Sequence, residues 1–116
     1  MRVLNVTQNT LIADNARLAD TFISRLVGLL NRSSLEPNEA LIITRCQSIH
    51  MLFMRFAIDV IFTDRNFVVV GLSPHIKPFR LSPLFLNAYY AVEAPQGTIT
   101  LTHTRPGDQL KLDKFA

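Results

Sequence analysis

Ile58-Asp59-Val60-Ile61-Phe62-Thr63-Asp64-Arg65-Asn66-Phe67-Val68-Val69-Val70-Gly71-Leu72 decides the fold class. Two runs rich in β-branched and aromatic residues flank Asp64-Arg65-Asn66, three residues that favour a turn. The spacing predicts a β-hairpin with strands Ile58–Thr63 and Phe67–Leu72. Asn66 is the turn residue that best tolerates a positive φ. Asp59 interrupts the first strand with a carboxylate between two aliphatic neighbours.

The same kind of pattern extends on both sides. Upstream, Val3 to Thr7, Leu11 to Ala13, Ala40 to Thr44 and Ser48 to Met54 read as strands, with turns at Gln8-Asn9-Thr10 and Pro37-Asn38-Glu39. Downstream, Tyr89 to Ala94 and Leu110 to Leu112 read as strands, the second following a Pro106-Gly107-Asp108 turn. Pro74, Pro78 and Pro83 punctuate a loop between them. One helix is predicted, from Thr21 to Leu30, with Phe22, Leu26, Leu29 and Leu30 at helical spacing and Asp20 as its N-cap. The expectation is a single domain over residues 1–116, mainly β at the α+β boundary. Its architecture would be a compact β-sandwich or partly open barrel with one short N-terminal helix.

Composition narrows the function classes. With 48% hydrophobic and 18% charged residues, the chain has enough apolar material for a core and too little charge for disorder. The net charge of +3 permits acidic partners without demanding them, and so mild an excess leaves nucleic-acid association only as a third reading, weaker than the two given below. The lone Cys46 rules out an internal disulfide, and no apolar run is long enough for a signal peptide or a membrane span. A cytoplasmic protein without a membrane partner is therefore expected. Four glycines leave no phosphate-cradling loop, and the three histidines lack metal-ligand spacing, so no cofactor and no metal are expected.

Several groups could carry chemistry. A strand over Ser48–Met54 would put His50, Leu52 and Met54 on one face. His50 then reads either as a core-edge histidine bonded to backbone or as a general base. Asp59 must find a partner, and Arg55 is the nearest cation in sequence. The plainer reading is an Arg55–Asp59 pair that fixes a bend. The sharper one has Arg55 gripping a carboxylate or phosphate. Glu93, ahead of Pro95 and Gly97, reads either as a ligand-facing carboxylate or as an acceptor for turn amides. The loop carrying His75, Lys77, Phe79 and Arg80 reads as a surface crossing or as an anion-holding loop. Gly97, Gly107 and Asp108 shape turns. Two functions remain: a non-catalytic binding or accessory module using Arg55, Lys77 and Arg80 toward a small anion or an acidic protein partner, and a small hydrolase or metal-assisted enzyme using His50 with Asp59 or Glu93. The exposed edge of the hairpin would also allow two copies to pair.

The segment from Cys46 to Asp64 resembles the domain-of-unknown-function family 192, small and mostly bacterial and archaeal proteins. Arg25-Leu26-Val27-Gly28-Leu29-Leu30, Val92-Glu93-Ala94-Pro95-Gln96-Gly97-Thr98 and Arg105-Pro106-Gly107-Asp108 extend the resemblance in the same order over nearly the whole chain. It implies a compact, mainly β domain with a short N-terminal helix and no settled activity. Three departures stand out. Phe67 occupies the place where the family's hairpin turn commonly ends in Gly. Many relatives carry an export signal or lipoprotein leader. The family also often reads as helix after Gly97, while Thr98 to Thr102 reads locally as strand, which leaves residues 98–104 open between the two.

Overall fold

The computed structural model describes residues 1–21, 29, 32–51 and 54–113. Its strands are β1 (Arg2–Asn5), β2 (Thr10–Ala13), β3 (Asn15–Ala19), β4 (Glu39–Thr44), β5 (Ile58–Thr63), β6 (Val69–Ile76), β7 (Tyr90–Pro95) and β8 (Leu110–Asp113), with a one-turn helix α1 (Thr98–Thr102) between β7 and β8. They form a three-stranded sheet of order β2-β1-β8 and a five-stranded sheet of order β3-β4-β7-β5-β6. Only β3 and β4 pair in parallel. The mainly β expectation holds, and the two sheets make a sandwich. Most of the helix predicted over Thr21–Leu30 lies outside the described residues.

Alternation along the strands explains the layers. Ala40 and Ile42 of β4, Ile61 of β5 and Val92 of β7 face the small sheet, where they meet Val3, Ile12, Ala13 and Leu110. Leu41, Ile43, Ile58, Val60, Phe62 and Ala91 face the other way. Among the described residues, Leu29, Ile49, Met51, Met54 and Ala88, all outside the named strands, pack on that second face, with half-buried Leu35, Phe56 and Phe85. A sheet buried on both sides needs unbroken apolar strands, which is why every residue of β5 is buried.

Strand β6 runs on through Pro74 and His75 to Ile76, where the sequence suggested a loop after Leu72. Three further outcomes differ from the sequence expectation for a tertiary reason. In the β5–β6 turn, Phe67 rather than Asn66 takes the left-handed conformation (φ 62°). The Asp64 carboxylate accepts from the amides of Asn66 (2.9 Å) and Val68 (3.0 Å), and the Phe67 ring stacks on Tyr90 at 4.2 Å. Stacking offsets the conformational cost that glycine would avoid. Thr98 to Thr102 is helical despite its β-branched residues, because Gly97 (φ 95°) turns the chain there and amide acceptors lie within reach. Ser48 to Met54 is not a strand among its described residues. It makes one bridge, His50 with Leu81, and the chain turns back when Met54 N–H donates to the Met51 carbonyl (3.2 Å).

The irregular cover is pinned at Phe85. Its ring lies 4.8 Å from that of Phe62 and directly over Gly71, where a Cβ would fall among the Phe85 ring carbons. Gly71→Ala is expected to lower the unfolding free energy by about 1–3 kcal/mol through overpacking. In urea unfolding most of that cost should vanish in a Phe85→Ala background, and an undiminished cost there would show that Phe85 is not what Gly71 accommodates.

Candidate functional site

Asp59 and Glu93 lie on adjacent strands but on opposite faces of the five-stranded sheet. Asp59 sits opposite Ala94, and Glu93 sits opposite Val60 on one side and Leu41 on the other. Directly opposed residues share a face, so Glu93 points toward the irregular cover and Asp59 toward the small sheet.

The Asp59 side chain is fully buried. Its Oδ1 accepts from the His75 amide and its Oδ2 from the Ile99 amide, both at 2.9 Å. The first contact holds a bulge in edge strand β6, where the register slips between Ile58 and Val60. The second caps the opening turn of α1, for which Gly97 offers no side chain. The expected Arg55–Asp59 pair is not formed. Arg55 is exposed, and the carboxylate has found two backbone amides instead.

Glu93 is 6% exposed, and its Oε1 is buried without a hydrogen-bond partner. Burial pushes its carboxyl up to about 7. The neutral acid suits the apolar surroundings of Leu41 and Val60, and ionisation there is costly. The amides of the Pro95–Gly97 turn, one of its expected partners, are not bonded to it.

Asp108 ends a buried polar chain. Its carboxylate accepts from Asn5 Nδ2 (3.0 Å), Gln8 Nε2 (3.1 Å) and the Arg105 amide (2.9 Å). Asn5 also donates to Thr104 Oγ1, which lies 2.7 Å from Thr102 Oγ1. Burial opposes ionisation of Asp108, but the bonds from Asn5, Arg105 and Gln8 outweigh it and hold the carboxyl below its usual range. With Gly107 at φ 93°, the arrangement fastens the turn before β8 to the end of β1.

The cations gather elsewhere. Residues 77–88 run beside residues 46–51: Met51 N–H donates to Arg80 O (2.8 Å), Phe79 N–H to Met51 O (2.8 Å), Ser82 N–H to Ile49 O (2.9 Å) and Phe85 N–H to Gln47 O (2.8 Å). His50 and Leu81, paired across this contact, are both exposed, so His50 is not the core-edge histidine expected. Arg45, Arg55, Lys77 and Arg80 are exposed on the same segments or next to them. Cys46 is half-buried, and its Sγ donates to the Ser48 carbonyl.

Phe79 stands on the loop singled out in the sequence, whereas Leu81, Leu84 and Leu86 escaped the sequence reading. Phe79, Leu81, Leu84 and Leu86 are 67%, 75%, 61% and 72% exposed. A signal was available. No Asp or Glu occurs between Ala40 and Ile58 or between Arg65 and Val92, so both segments are acid-free while carrying cations and large apolar side chains. A separate concavity of about 280 Å³ lies among Leu11, Leu35, Pro37, Pro95 and Leu101 and holds none of the candidate charged residues. Among the described residues no cluster of three His, Cys, Asp or Glu side chains could hold a metal.

Asp59 and Glu93 each give a measurable consequence. Asp59→Asn keeps one acceptor and turns an NH₂ toward the second amide. It should cost about 1–3 kcal/mol in urea unfolding and speed hydrogen exchange at the His75 and Ile99 amides. Unchanged exchange at both would remove Asp59 from its capping role. The folded-state pKa of Glu93 is raised above its ordinary 4.5, so its contribution to stability is full below that value and is lost as pH rises through about 7. Burial of this size corresponds to a change on the order of 3 kcal/mol. Glu93→Gln should flatten the fall in stability between about pH 5 and pH 8, and a fall that persists in the variant would assign it to other groups.

Comparison with known proteins places these features in a family. The family model DUF192, described as Uncharacterized ACR, COG1430, matches residues 3–112. A UPF0127 protein of Pyrococcus furiosus is 41% identical over 97% of this chain and 99% of its own length, and one of Pyrococcus horikoshii is 36% identical over 94% and 96%. A crystal structure of a protein of unknown function from Novosphingobium aromaticivorans superposes with a TM-score of 0.82 at 20% identity, covering 96% of this chain and 82% of that one. Another, a "putative transcription regulator" of Sinorhizobium meliloti, superposes at 0.77 and 20% identity, covering 95% and 89%. The two structures share the fold, and the match over nearly the whole sequence shows that the chain belongs to the DUF192 family of uncharacterised proteins.

Proposed function

We propose that the protein is a non-catalytic binding module that takes an acidic partner on the face formed by residues 46–51, Arg55 and residues 77–86. The observation that carries this reading is the charge segregation on two paired segments. Arg45, Arg55, Lys77 and Arg80 stand exposed beside four exposed apolar side chains, with no acidic residue on either segment. Exposed apolar clusters of this kind mark interaction surfaces. They favour an extended partner over a small inorganic ion, which would use the cations and leave the leucines in water. The hydrolytic alternative draws less support. Asp59 already accepts two amides, Glu93 lies on the other face of the sheet, and His50 is exposed.

Nucleic acid enters as a comparison because of the name carried by the Sinorhizobium meliloti neighbour, whose likeness concerns the fold alone. The described helix α1 is one turn long, too short to read a groove.

Polyglutamate, inorganic phosphate and a short DNA duplex, titrated into isotope-labelled protein, test the reading. Polyglutamate should shift the amides of residues 46–51 and 77–86 selectively. Each of Arg55→Gln and Arg80→Gln should weaken it by about two- to fivefold, and added salt should weaken it further. Phosphate should act more weakly than polyglutamate. Shifts centred on another face, or none with any polyanion, would overturn the proposal.

A further inference from the structure

We infer that the acidic partner is the surface of an anionic lipid bilayer, with Phe79, Leu81, Leu84 and Leu86 entering the headgroup boundary and Arg55, Lys77 and Arg80 meeting its negative charges. This inference rests on the binding face proposed above and names what that face takes.

The first reason is shape. The four apolar side chains are displayed from a loop that is fixed from behind. Phe85, among them in sequence, is seated over Gly71 and against Phe62, and the backbone is tied to residues 47–51 by the bonds already described. Gln47 Nε2 also donates to the Leu86 carbonyl (2.8 Å). With Phe85 turned inward, its neighbours Leu84 and Leu86 stand out from the surface. Such side chains are projections. Projecting apolar tips enter a soft apolar layer without needing a matched recess in it.

Charge is the second reason. Two acid-free segments with several exposed cations would repel their copies across a two-fold axis, so self-association through them is disfavoured. The same combination of apolar tips and flanking cations suits an anionic interface, where apolar groups bury about 5–10 Å deep and each nearby cation adds attraction. The lack of a spanning segment in the sequence removed membranes from the expected partners. Among the described residues no helix is long and apolar enough to cross one, but loop tips bind a surface without crossing it.

The test is co-sedimentation with vesicles of phosphatidylcholine alone and of phosphatidylcholine mixed with phosphatidylglycerol, run beside polyglutamate binding. The expected result is sedimentation with the mixed vesicles and little with phosphatidylcholine alone. Lys77→Gln with Arg80→Gln should lower partitioning by about fivefold per charge. Phe79→Ser with Leu81→Ser should lower it by at least about tenfold while leaving polyglutamate binding in place. Both pairs of residues are exposed, and thermal unfolding confirms that each variant folds. Polyglutamate binding without vesicle binding would overturn the bilayer and leave the binding face standing, with an acidic protein as its partner. Vesicle binding that is indifferent to Phe79→Ser with Leu81→Ser would overturn insertion. Loss of both kinds of binding in the wild-type protein would overturn this inference together with the reading beneath it.

Discussion

The carboxylate of Asp59 fastens three parts of the chain to one another. It leaves the middle strands of the large sheet and accepts the amides of His75 in edge strand β6 and Ile99 in α1. Without it the bulge at His75 would lack its acceptor, and the first turn of α1 would expose a buried N–H. Each orphaned amide costs about 1–3 kcal/mol, a large share of the stability of an ordinary domain. The geometry also explains why a strand that is otherwise aliphatic tolerates an acid at its second position. A buried carboxylate is accepted where fixed backbone donors already point at it. The bulge and Pro74 also blunt the edge of the sheet, which makes β6 a poor template for pairing with another copy.

The two faces of the large sheet are finished by different means. One meets a second sheet, whose strands satisfy their own backbone and offer a regular apolar surface. On the other, the described covering segments have little repeating structure and satisfy their backbone through turns and scattered bridges. Such a cover needs anchors, and Phe85 over Gly71 is one. It also tolerates an anomaly that a tightly packed sheet interface would not: the Glu93 carboxyl, neutral at moderately acidic pH and unpartnered at Oε1. Stability and display are thereby separated. The sandwich side carries regular packing, and the irregular side carries the groups that packing does not explain.

How much of this was legible in the sequence depended on whether a segment's local pattern agreed with its tertiary role. β4, β5, β7 and β8 were readable because apolar, β-branched runs bounded by turns describe buried strands directly. β3 was missed because Asn15, Arg17 and Leu18 are exposed and only Ala16 and Ala19 face inward, so little apolar alternation exists to be seen. Ser48 to Met54 misled for the opposite reason: it is apolar because it lies on a core, and burial alone does not make a strand. α1 was locally ambiguous, since its helix depends on Gly97 and on an acceptor about forty residues earlier in the chain. Of the proposed face, the exposed cations Arg55, Lys77 and Arg80 can be picked out in the sequence, as can the need of Asp59 for a partner. The partner itself was not. Sequence proximity suggested Arg55, whereas the fold brings two amides from distant segments.

Two phenylalanines in the same strained conformation separate fold from function more sharply than any charge does. Phe67 and Phe79 both have positive φ, 62° and 67°. For a residue with a Cβ this costs roughly 1–2 kcal/mol, and for a bulky side chain it is uncommon. At Phe67 the cost has a visible compensation, since the ring stacks on Tyr90 and the carbonyl accepts from the Leu110 amide (2.8 Å). At Phe79 the backbone amide bonds to Met51, but the ring stands in solvent with no aromatic contact among the described residues. A glycine or asparagine there would adopt the same turn at lower cost and would not expose an apolar ring. Folding therefore gives no reason for a phenylalanine at position 79. The binding proposed for this face would supply one, through the same surface that Leu81, Leu84 and Leu86 extend.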